Sequence, residues 1–429
     1  MKKMNYQNVK GTQDYLPNVE MIRSKIRRTL EDTFIQYGCK PLETPILNYS
    51  SLLSSKYGGG AEILKEMYTL TDQGQRELAL RYDLTIPFAK VIAMNPTLRM
   101  PFKRYEIGKV FRDGPIKAGR FREFTQCDVD IVGVSTQAAE AELMGMALSA
   151  FEKLQLPVII QYNNRKLLQG MLSYIGVQND SMNSVILTID KYEKVGLSGI
   201  EIELSSKNIS GDIVLKIISF LKTSTSKGIN YFEQFTDKNE DISQGVAELK
   251  ELEEYLSYLN MKEQCVFNPY LARGLEMYTG TIYEIFLEDG TINSSIGSGG
   301  RYDNAIGGLI GTEEIFSTVG ISFGLDVITT AYSMNHSLTY SSNIDFYIIP
   351  IKATKEGLLL ATQLRKKGYL VELEMKIKNL QKALDRANKE GLKKVIIIGE
   401  NEIKKNRIQV KDMETGEILE ESFNFVSKR

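Results

Sequence analysis

The chain has 429 residues, a single histidine (His336), three cysteines, and nearly equal numbers of basic and acidic residues, 53 and 54. This length allows two or three domains with a buried core. The single histidine lies in the polar stretch Ser-Met-Asn-His-Ser, which argues against an enzyme built on a histidine base or a catalytic triad and excludes a multi-histidine metal site. The three cysteines lie far apart in the sequence, which excludes a disulfide framework and predicts a cytoplasmic protein. The chain has no apolar run of about 18 residues, so we expect no segment that spans a membrane. Arginines, carboxylates and backbone groups must therefore carry any chemistry.

The charge is distributed unevenly along the chain. Residues 341–429 contain 18 basic and 13 acidic residues, a net charge of +5, so that the rest of the chain carries −6. A basic module joined to an acidic body indicates a polyanionic partner. Ordinary solvated lysines explain the charge alone equally well.

The first third of the chain predicts one helix followed by short strands. Apolar residues recur at every fourth position over 18–37, which is typical of an amphipathic helix, and Asn18 is the expected N-cap. Short β-like runs dominate from residue 67 to about 130. The last two, 103–112 and 124–132, flank a loop and predict a long antiparallel hairpin.

The middle of the chain alternates helical and extended patterns. Residues 136–154, rich in Ala, Glu, Met and Leu, predict a helix. Residues from about 165 to 260 are mainly helical in pattern and carry no recognisable chemistry, so we interpret them as an insertion. Strand patterns resume at 266–269, 279–287 and 318–324, with a glycine-dense stretch at 297–303. This body is predicted to be an α+β domain.

The pattern changes after a polar stretch at 333–342. From Phe346 to Gly399 strands and helices alternate, which predicts a small α/β unit with a mostly parallel sheet. Two domains are therefore expected, 1–335 with the helical insertion and 341–429.

Polar residues occupy one face of the predicted strand at 122–132. Because alternate residues of a strand share a face, one face would carry Arg122, Phe124, Gln126, Asp128 and Asp130. Burying such groups without partners costs ~1–3 kcal/mol each. This face is therefore either solvated or part of a ligand site, and its mixture of charges suits a zwitterion.

Arginines give a second indication of a ligand. The hairpin loop carries the cations Arg112, Lys117, Arg120 and Arg122. A guanidinium group can donate two parallel hydrogen bonds to the two oxygens of a carboxylate or to two oxygens of a phosphate. Arg273 stands in an apolar run, where an unpaired charge is costly and needs an anionic partner. The alternative for the hairpin cations is an ordinary exposed basic loop, and the alternative for Arg273 is a structural salt bridge.

The glycine-dense stretch does not match the common nucleotide-binding patterns. Residues 297–303 read Gly-Ser-Gly-Gly-Arg-Tyr-Asp, which is neither GxGxxG before a helix nor GxxxxGK[ST]. We expect these glycines to allow close approach of the backbone to a flat ligand.

Six segments together resemble the histidyl-tRNA synthetases, a family of class II aminoacyl-tRNA synthetases. They occur in order along nearly the whole chain, at 9–17, 80–88, 111–133, 271–280, 299–303 and 319–326. The most specific are the hairpin at 111–133, similar to the family's motif 2, and Arg273-Gly-Leu-Glu-Met-Tyr-Thr-Gly. The resemblance implies a class II catalytic domain on an antiparallel sheet, with a helical insertion and an anticodon-binding domain at 341–429.

The resemblance also implies roles for individual residues. Arg112 and Arg273 would be catalytic, acting on the ATP α-phosphate. Histidine would contact Asp83, Leu84, Thr85, Gln126, Asp130, Met277 and Tyr278. ATP would contact Arg112, Arg120, Glu123 and Arg273. Mg²⁺ would accompany ATP, and no metal site built from the protein's own residues is expected.

The implied activity is histidine–tRNA ligation. Histidine would attack ATP to give histidyl-adenylate, and the 3′ end of tRNA(His) would then accept the histidyl group. The family resemblance further implies a homodimer. The main alternative is a paralogue that binds histidine without charging tRNA, like the ATP phosphoribosyltransferase regulatory subunit, which lacks the C-terminal module.

The sequence departs from the family pattern in three places. The usual Arg-Gly-Leu-Asp-Tyr-Tyr reads Arg-Gly-Leu-Glu276-Met277-Tyr here, and the motif 2 loop is short. Motif 3 normally ends Gly-Leu-Glu-Arg, with an arginine for the ATP γ-phosphate, but here it ends at Val327. A histidine-sensing or tRNA-binding relic is a third hypothesis, which rests on that missing arginine alone.

Overall fold

The structure is a computed structural model that describes residues 6–54, 61–116, 119–207, 209–224, 227–273, 277–336, 344–376 and 379–425. The chain divides into two compact units, residues 1–336 and 337–429. Within the described ranges, no helix has both the length and the apolar character needed to cross a bilayer.

An eight-stranded mixed sheet is the centre of the first unit. The strands of this unit are β1 (Lys40–Pro41), β2 (Leu47–Tyr49), β3 (Thr69–Thr71), β4 (Glu77–Leu80), β5 (Phe102–Phe111), β6 (Glu123–Val132), β7 (Val158–Asn164), β8 (Cys265–Phe267), β9 (Thr281–Leu287), β10 (Gly297–Arg301) and β11 (Thr318–Gly324). The large sheet has the order β1-β5-β6-β11-β10-β9-β7-β8, and β2-β4-β3 form a small antiparallel sheet. Only the edge pairs β1–β5 and β7–β8 of the large sheet are parallel.

Helices cover the apolar face of the large sheet and form the segment that follows β7. They are α1 (Pro17–Gln36), α2 (Ser50–Leu53), α3 (Ala61–Glu66), α4 (Thr85–Met94), α5 (Ala138–Lys153), α6 (Arg165–Ile175), α7 (Asn179–Ile189), α8 (Tyr192–Ser206), α9 (Gly211–Ser224), a 3₁₀-helix (Ile229–Phe235), α10 (Glu240–Tyr258), α11 (Asn304–Ile310) and α12 (Leu325–Asn335). Leu30 and Phe34 of α1 and Phe151 of α5 lie in one core with Val129 of β6. The predicted α+β class is confirmed, and the segment interpreted as an insertion is helical, as predicted.

The predicted hairpin is confirmed over its full length. β5 and β6 pair antiparallel from Phe102–Val132 to Phe111–Glu123. The apolar face of β6 enters the core through Cys127 and Val129, as the alternation of its residues predicts. The opposite, polar face remains available for the site described below.

The first helix begins one residue earlier than predicted, and Asn18 is not its cap. Leu16 is the N-cap residue and Pro17 is the first helical residue. Proline is favoured there because its fixed φ suits a helix and its missing N–H would have no partner in the first turn. Gly38, at a φ of +75°, lets the chain leave the helix.

The second unit contains a five-stranded sheet. Its elements are β12 (Phe346–Pro350), α13 (Thr354–Lys366), β13 (Val371–Leu373), α14 (Leu380–Lys389), β14 (Lys394–Ile398), α15 (Glu400–Lys405), β15 (Arg407–Asp412) and β16 (Ile418–Ser422). The order is β13-β12-β14-β15-β16, and the first three strands are parallel. The three strands between residues 346 and 399 are therefore parallel, as predicted. β15 and β16 follow them and run antiparallel to their neighbours, which makes the whole sheet mixed.

Arg104 of β5 is the largest fully buried side chain of the chain's described part. Its Nη2 lies 2.6 Å from Oδ2 of Asp130 on β6 and donates to the carbonyl oxygen of Leu84 at 3.2 Å. Its guanidinium carbon lies 4.3 Å from the centre of the Phe88 ring, and Glu106 is a second, more distant anion at 3.6 Å. Arg104 therefore joins both strands of the hairpin to the start of α4.

Replacing Arg104 by methionine should destabilise the first unit strongly. The substitution leaves the carboxylate of Asp130 buried without its cation, and loss of one partner of a buried pair costs about 3–5 kcal/mol. Urea unfolding followed by circular dichroism measures the loss. Lys109→Met is the matched control on the same strand, because its ion pair with Glu123 is exposed and should change stability little. Equal small losses for both variants would contradict the structural role of Arg104.

Candidate active site

A cleft of about 430 Å³ lies on the polar face of β6 in the first unit. Eight of the eleven residues predicted for the site line it. They are Asp83, Thr85, Arg112, Arg120, Gln126, Arg273, Met277 and Tyr278. These residues come from four separate parts of the chain, and the sheet and the start of α4 bring them together.

Three predicted site residues do not line the cleft. Leu84 is fully buried, and its carbonyl oxygen accepts a hydrogen bond from Arg104. Asp130 is 3% exposed and lies below the cleft, where it pairs with Arg104 and accepts a hydrogen bond from the Tyr302 hydroxyl. The carboxylate of Glu123 pairs with the ammonium group of Lys109.

Some predicted features lie outside the described residues. These are Lys117 of the hairpin loop, Glu276 of the family-specific segment, and residues 337–343 of the polar stretch between the predicted domains. His336 is described at the C-terminal end of α12, where its ring stacks on Tyr332 with the ring centres 3.9 Å apart. It is not among the residues that line the cleft.

Arg112 leaves the end of β5 and turns its guanidinium group into the cleft. Its Nε donates to the carbonyl oxygen of Tyr82 at 3.0 Å, and its guanidinium carbon lies 5.3 Å from the centre of the Phe124 ring. Burial lowers the pKa of Arg112; Asp83 opposes this effect, whereas the cations Arg120 and Arg273 add to it. An anion bound among these arginines would relieve their mutual repulsion.

Arg273 reaches the same cleft from the segment before β9. Its guanidinium group forms an ion pair with Glu284, and its carbon lies 5.9 Å from the centre of the Tyr278 ring. Its carbonyl oxygen accepts a hydrogen bond from Nη1 of Arg165 at 3.0 Å. The structural salt bridge considered as an alternative is therefore present, and the same guanidinium group also lines the cleft.

Two acidic side chains of the cleft have raised pKa values. Burial raises the pKa of Asp83 to about 6, although its carboxylate accepts a hydrogen bond from the backbone N–H of Ile86 at 3.2 Å. Burial raises the pKa of Asp128 to about 8; Arg104 opposes this effect, and Asp130 adds to it. The hypothesis that the polar face of β6 is solvated is wrong, because Asp128 and Asp130 are each 3% exposed.

Glycines allow strands β10 and β11 to pack closely against each other and against residues near the cleft. A Cβ atom on Gly299 would lie 2.1 Å from the carbonyl oxygen of Gly320, and one on Gly300 would lie 2.9 Å from ring carbons of Tyr278. A Cβ atom on Gly320 would lie 2.0 Å from Oδ1 of Asp130. The glycines therefore make room for neighbouring strands and for two of the site's side chains, whereas the sequence led us to expect room for a ligand.

Val327 occupies the position where the family's motif 3 has an arginine, and it lines the cleft. A Cβ atom on Gly119, in the hairpin loop, would lie 3.7 Å from the side chain of Val327. The preceding residue, Asp326, accepts hydrogen bonds from Nη1 of Arg23 at 2.5 Å and from the backbone N–H of Thr125 at 2.9 Å. The aspartate of this motif therefore anchors α12 to α1 and β6.

Several residues of the site did not stand out in the sequence. Glu66 of α3 lines the cleft, and no local pattern pointed to it. Asp128 lines the cleft as well; alternation placed it on the polar face, but the family's motifs gave it no role. Arg104 did not stand out either, because β5 also carries the charged residues Lys103, Glu106 and Lys109.

The stability of the unliganded chain should depend on the ionisation of Asp128. Because its pKa is about 8 in the folded chain, above the ordinary 3.8, the folded chain keeps a proton that the unfolded chain loses. The free energy of unfolding therefore falls as the pH rises between these values. Asp128→Asn removes this loss, so the variant should melt higher than the unmodified chain at pH 8 but not at pH 4.

Thermal melting at the two pH values measures this difference. Asp32→Asn, an exposed position on α1, is the control and should leave the pH dependence unchanged. A lower melting temperature of Asp128→Asn at pH 8 would contradict the prediction.

Comparisons with known proteins identify the family of the chain. The family model described as histidyl-tRNA synthetase matches residues 11–328, and the anticodon-binding domain model matches residues 345–429. The chain is 58% identical to histidine–tRNA ligase 2 of Shouchella clausii, covering 99% of this chain and all of the relative. It is 55% identical to histidine–tRNA ligase 1 of Bacillus anthracis, over 96% of this chain and 97% of the relative.

A solved structure supports the same assignment. The fold is similar to that of histidyl-tRNA synthetase from Nostoc sp. PCC 7120, with a TM-score of 0.84 and 28% identity over 98% of this chain and 97% of the other. The similarity thus includes both units as well as the motifs around the cleft. The chain belongs to the histidyl-tRNA synthetase family.

Proposed function

We infer that this chain is a histidine–tRNA ligase, which activates histidine with ATP and transfers it to the 3′ end of tRNA(His). Its relatives of that name match it over nearly their whole length. The structural observation that carries the conclusion is one cleft in which Arg112 and Arg273 meet Asp83 and Gln126. Such a cleft offers cations for an anionic phosphate and acceptors for an ammonium group.

The first task of the site is to hold histidine in one orientation. We propose that Asp83, Thr85 and Gln126 bind the α-ammonium group, and that Met277 and Tyr278 lie along the imidazole ring. All five line the cleft. The carboxylate of histidine would then point toward Arg112, beside the α-phosphate of ATP. Orientation of two reactants in this way can supply several kcal/mol of the rate enhancement.

The second task is to stabilise charge at the α-phosphate. A histidine carboxylate oxygen attacks the α-phosphorus, the bond to the leaving pyrophosphate breaks, and negative charge increases on the phosphate oxygens. Arg112 and Arg273 would bind those oxygens, since a fixed cation costs no reorganisation during the reaction. The tRNA ribose hydroxyl then replaces AMP at the histidyl carbonyl. No histidine side chain is needed for these steps, in agreement with the position of His336 away from the cleft.

Mg²⁺ would enter with ATP rather than bind to a site of the protein alone. In the described part of the chain, no group of three or more His, Cys, Asp or Glu residues could hold a metal. Mg²⁺ is commonly held by one or two carboxylates together with substrate phosphates. Glu66, which lines the cleft near Arg120, is the carboxylate we propose for this role. The ion would neutralise part of the phosphate charge.

The distal phosphates of ATP would depend on Arg120. Among the residues that the structure describes, the cations lining the cleft are Arg112, Arg120 and Arg273. We assign Arg112 and Arg273 to the α-phosphate, which leaves Arg120. Arg120 is half exposed and pairs weakly with Glu66 at 3.5 Å, so it can exchange this partner for a phosphate. Glu123, expected near ATP, pairs with Lys109 instead, and we give it no direct role.

We propose two functional domains that follow the sequence boundaries. Residues 1–335, including the helical segment at about 165–260, would form the catalytic domain. Residues 341–429 would bind the anticodon arm of tRNA(His), which fits the match to an anticodon-binding family model and the net charge of +5. A homodimeric, cytoplasmic enzyme is the form that the family resemblance implies.

A paralogue that binds histidine without charging tRNA is the competing proposal. The absence of an arginine at Val327 is the observation that favours it, because ATP would lose one contact. The second unit argues against it, since a regulator of the ATP phosphoribosyltransferase type has no need of an anticodon-binding domain. Retention of both arginines assigned to the α-phosphate also favours the ligase.

Aminoacylation of tRNA with each of the twenty amino acids by the purified chain separates these proposals. The ligase predicts charging with histidine alone, dependent on ATP. Binding of histidine without formation of histidyl-tRNA would favour the regulator, and charging with another amino acid would overturn the assignment of the substrate.

Replacing Arg273 by alanine should reduce histidine-dependent exchange between ATP and pyrophosphate about 10²–10³-fold, because one fixed donor to the charged phosphate is lost. Arg27→Ala, which removes a partly exposed arginine of α1, is the matched control and should keep full exchange. Circular dichroism verifies that both variants are folded. Near-normal exchange in folded Arg273→Ala would show that its role is wrongly assigned.

Deleting residues 337–429 should impair charging of tRNA far more than formation of histidyl-adenylate. The deleted residues form a compact unit of their own, and the whole cleft lies in the first unit. Pyrophosphate exchange and aminoacylation are measured on the same preparation. An equal loss of both activities would contradict a separate role in tRNA binding.

A further inference from the structure

Arg165 is the first residue of α6 and of the helical segment at about 165–260, to which the function inferred above assigns no separate role. It is a buried residue. Its backbone N–H donates to the carbonyl oxygen of Gly280 at 2.8 Å, and its Nη1 donates to the carbonyl oxygen of Arg273 at 3.0 Å. Arg165 therefore joins both ends of the family-specific segment, which begins at Arg273 and ends at Gly280.

The segment between these two contacts carries side chains of the cleft. Arg273, Met277 and Tyr278 line it, and residues 274–276 lie outside the described part of the chain. Arg273 is the cation assigned to the α-phosphate, and the other two are assigned to the imidazole ring of histidine. A functional side chain is held in place only as well as its supporting residues hold its backbone. The two contacts of Arg165 are such supports.

A second helix of the insertion fixes the guanidinium group of Arg165. Its Nη2 donates to Oδ1 of Asn183 on α7 at 3.0 Å. Because a guanidinium group is rigid and planar, a partner on one of its nitrogens also sets the direction in which the other nitrogens donate. The contact between Arg165 and the carbonyl oxygen of Arg273 thus depends on a residue that is not among those lining the cleft.

The insertion also holds the chain just before Arg273. The hydroxyl group of Tyr270 donates to the carbonyl oxygen of Leu221 on α9. The ring of Tyr270 packs on that of Tyr192, the first residue of α8, with the ring centres 4.8 Å apart. On the side of the large sheet, Asn163 of β7 donates to the carbonyl oxygen of Leu271 at 2.9 Å. Helices α6, α7, α8 and α9 therefore all take part in holding the chain around Arg273.

We propose that Arg165 is a positioning residue for the formation of histidyl-adenylate, through which the helical insertion holds the family-specific segment at the cleft. The proposal rests on the function inferred above and gives the insertion a part in that reaction. Arg165 acts through the backbone of Arg273 and Gly280. A displacement of this backbone moves Arg273 away from the α-phosphate and Tyr278 away from the ring, and a misplacement of about 1 Å can lower a rate about 10²-fold.

Arg165→Met tests the proposal, since it keeps a long side chain and removes the side-chain donors. Histidine-dependent exchange between ATP and pyrophosphate should show a kcat lowered about 10- to 100-fold and a KM for histidine raised about 5-fold or more. The KM for ATP should change little, because Arg112 and Arg120 keep their places. A variant that is merely less stable contains less active enzyme, which lowers the apparent kcat and changes neither KM.

Circular dichroism verifies that the variant is folded. In folded Arg165→Met, an unchanged KM for histidine, or an equal rise of both KM values, would overturn the proposal.

Asn183→Ala is the second variant, because Asn183 is exposed and its replacement should leave the fold intact. It removes the partner of Arg165 Nη2, so that kcat and the KM for histidine should change in the same directions by a smaller factor, about 2- to 5-fold. If Arg165→Met does not fold, unchanged constants in Asn183→Ala overturn the proposal.

Lys250→Met is the matched control inside the insertion. It breaks an ion pair between α10 and Glu233 of the 3₁₀-helix, in which both side chains are about half exposed. It should leave kcat and both KM values unchanged. Changes in this control as large as those in Arg165→Met would overturn a specific role of Arg165.

The unmodified enzyme separates this inference from the proposed function. If it forms no histidyl-adenylate, the proposed function fails. If it does, and folded Arg165→Met keeps a normal KM for histidine, only the inference about Arg165 fails.

Discussion

The ion pair between Arg104 and Asp130 is the interaction on which the architecture of the site depends. A guanidinium group without access to water needs an anion and hydrogen-bond acceptors at short range, and these partners come from β6 and from the residue before α4. The pair therefore fixes the hairpin relative to the helix whose first turn carries Thr85. One cation that is not among the residues lining the cleft therefore joins the elements that carry Gln126 and Thr85.

That arrangement has a consequence for the chemistry of the cleft. Asp130 pairs with Arg104, whereas Asp83 and Asp128 line the cleft. These two carboxylates lie there at a cost in stability, since burial makes the ionised form of each less favourable. Such a trade between stability and binding is common at functional sites.

Local patterns were sufficient to predict much of the fold. The hairpin of β5 and β6 and helix α5 were predictable, because alternation and helix-forming composition act over neighbouring residues. The hairpin of β15 and β16 was not recognised, because β16 is exposed along its whole length and has no apolar face to reveal it. Asn18 is a common capping residue and Pro17 is a common first helical residue, so both mark the start of a helix. The local sequence alone does not show which of the two applies.

The residues of the site were only partly predictable, for a physical reason. Alternation places Asp128 and Asp130 on the same face of β6, and nothing in the sequence indicates which one lines the cleft. Tyr302 and Arg104 decide the question, and they come from other strands or loops of the first unit. Similarly, a motif can locate Arg273, but only the fold shows that its guanidinium group pairs with Glu284 while it lines the cleft.

Gly297, which lines the cleft, limits how the site can change under selection by inhibitors. Any other residue there introduces a Cβ atom 3.0 Å from Cδ1 of Ile285 and 3.2 Å from the carbonyl oxygen of Ser322, so that neighbouring groups would have to move. A compound whose affinity came from the backbone of Gly297 would therefore meet a surface at which a resistance mutation also disturbs the packing of the enzyme. Compounds that depend on exposed side chains such as Arg120 would lack this protection.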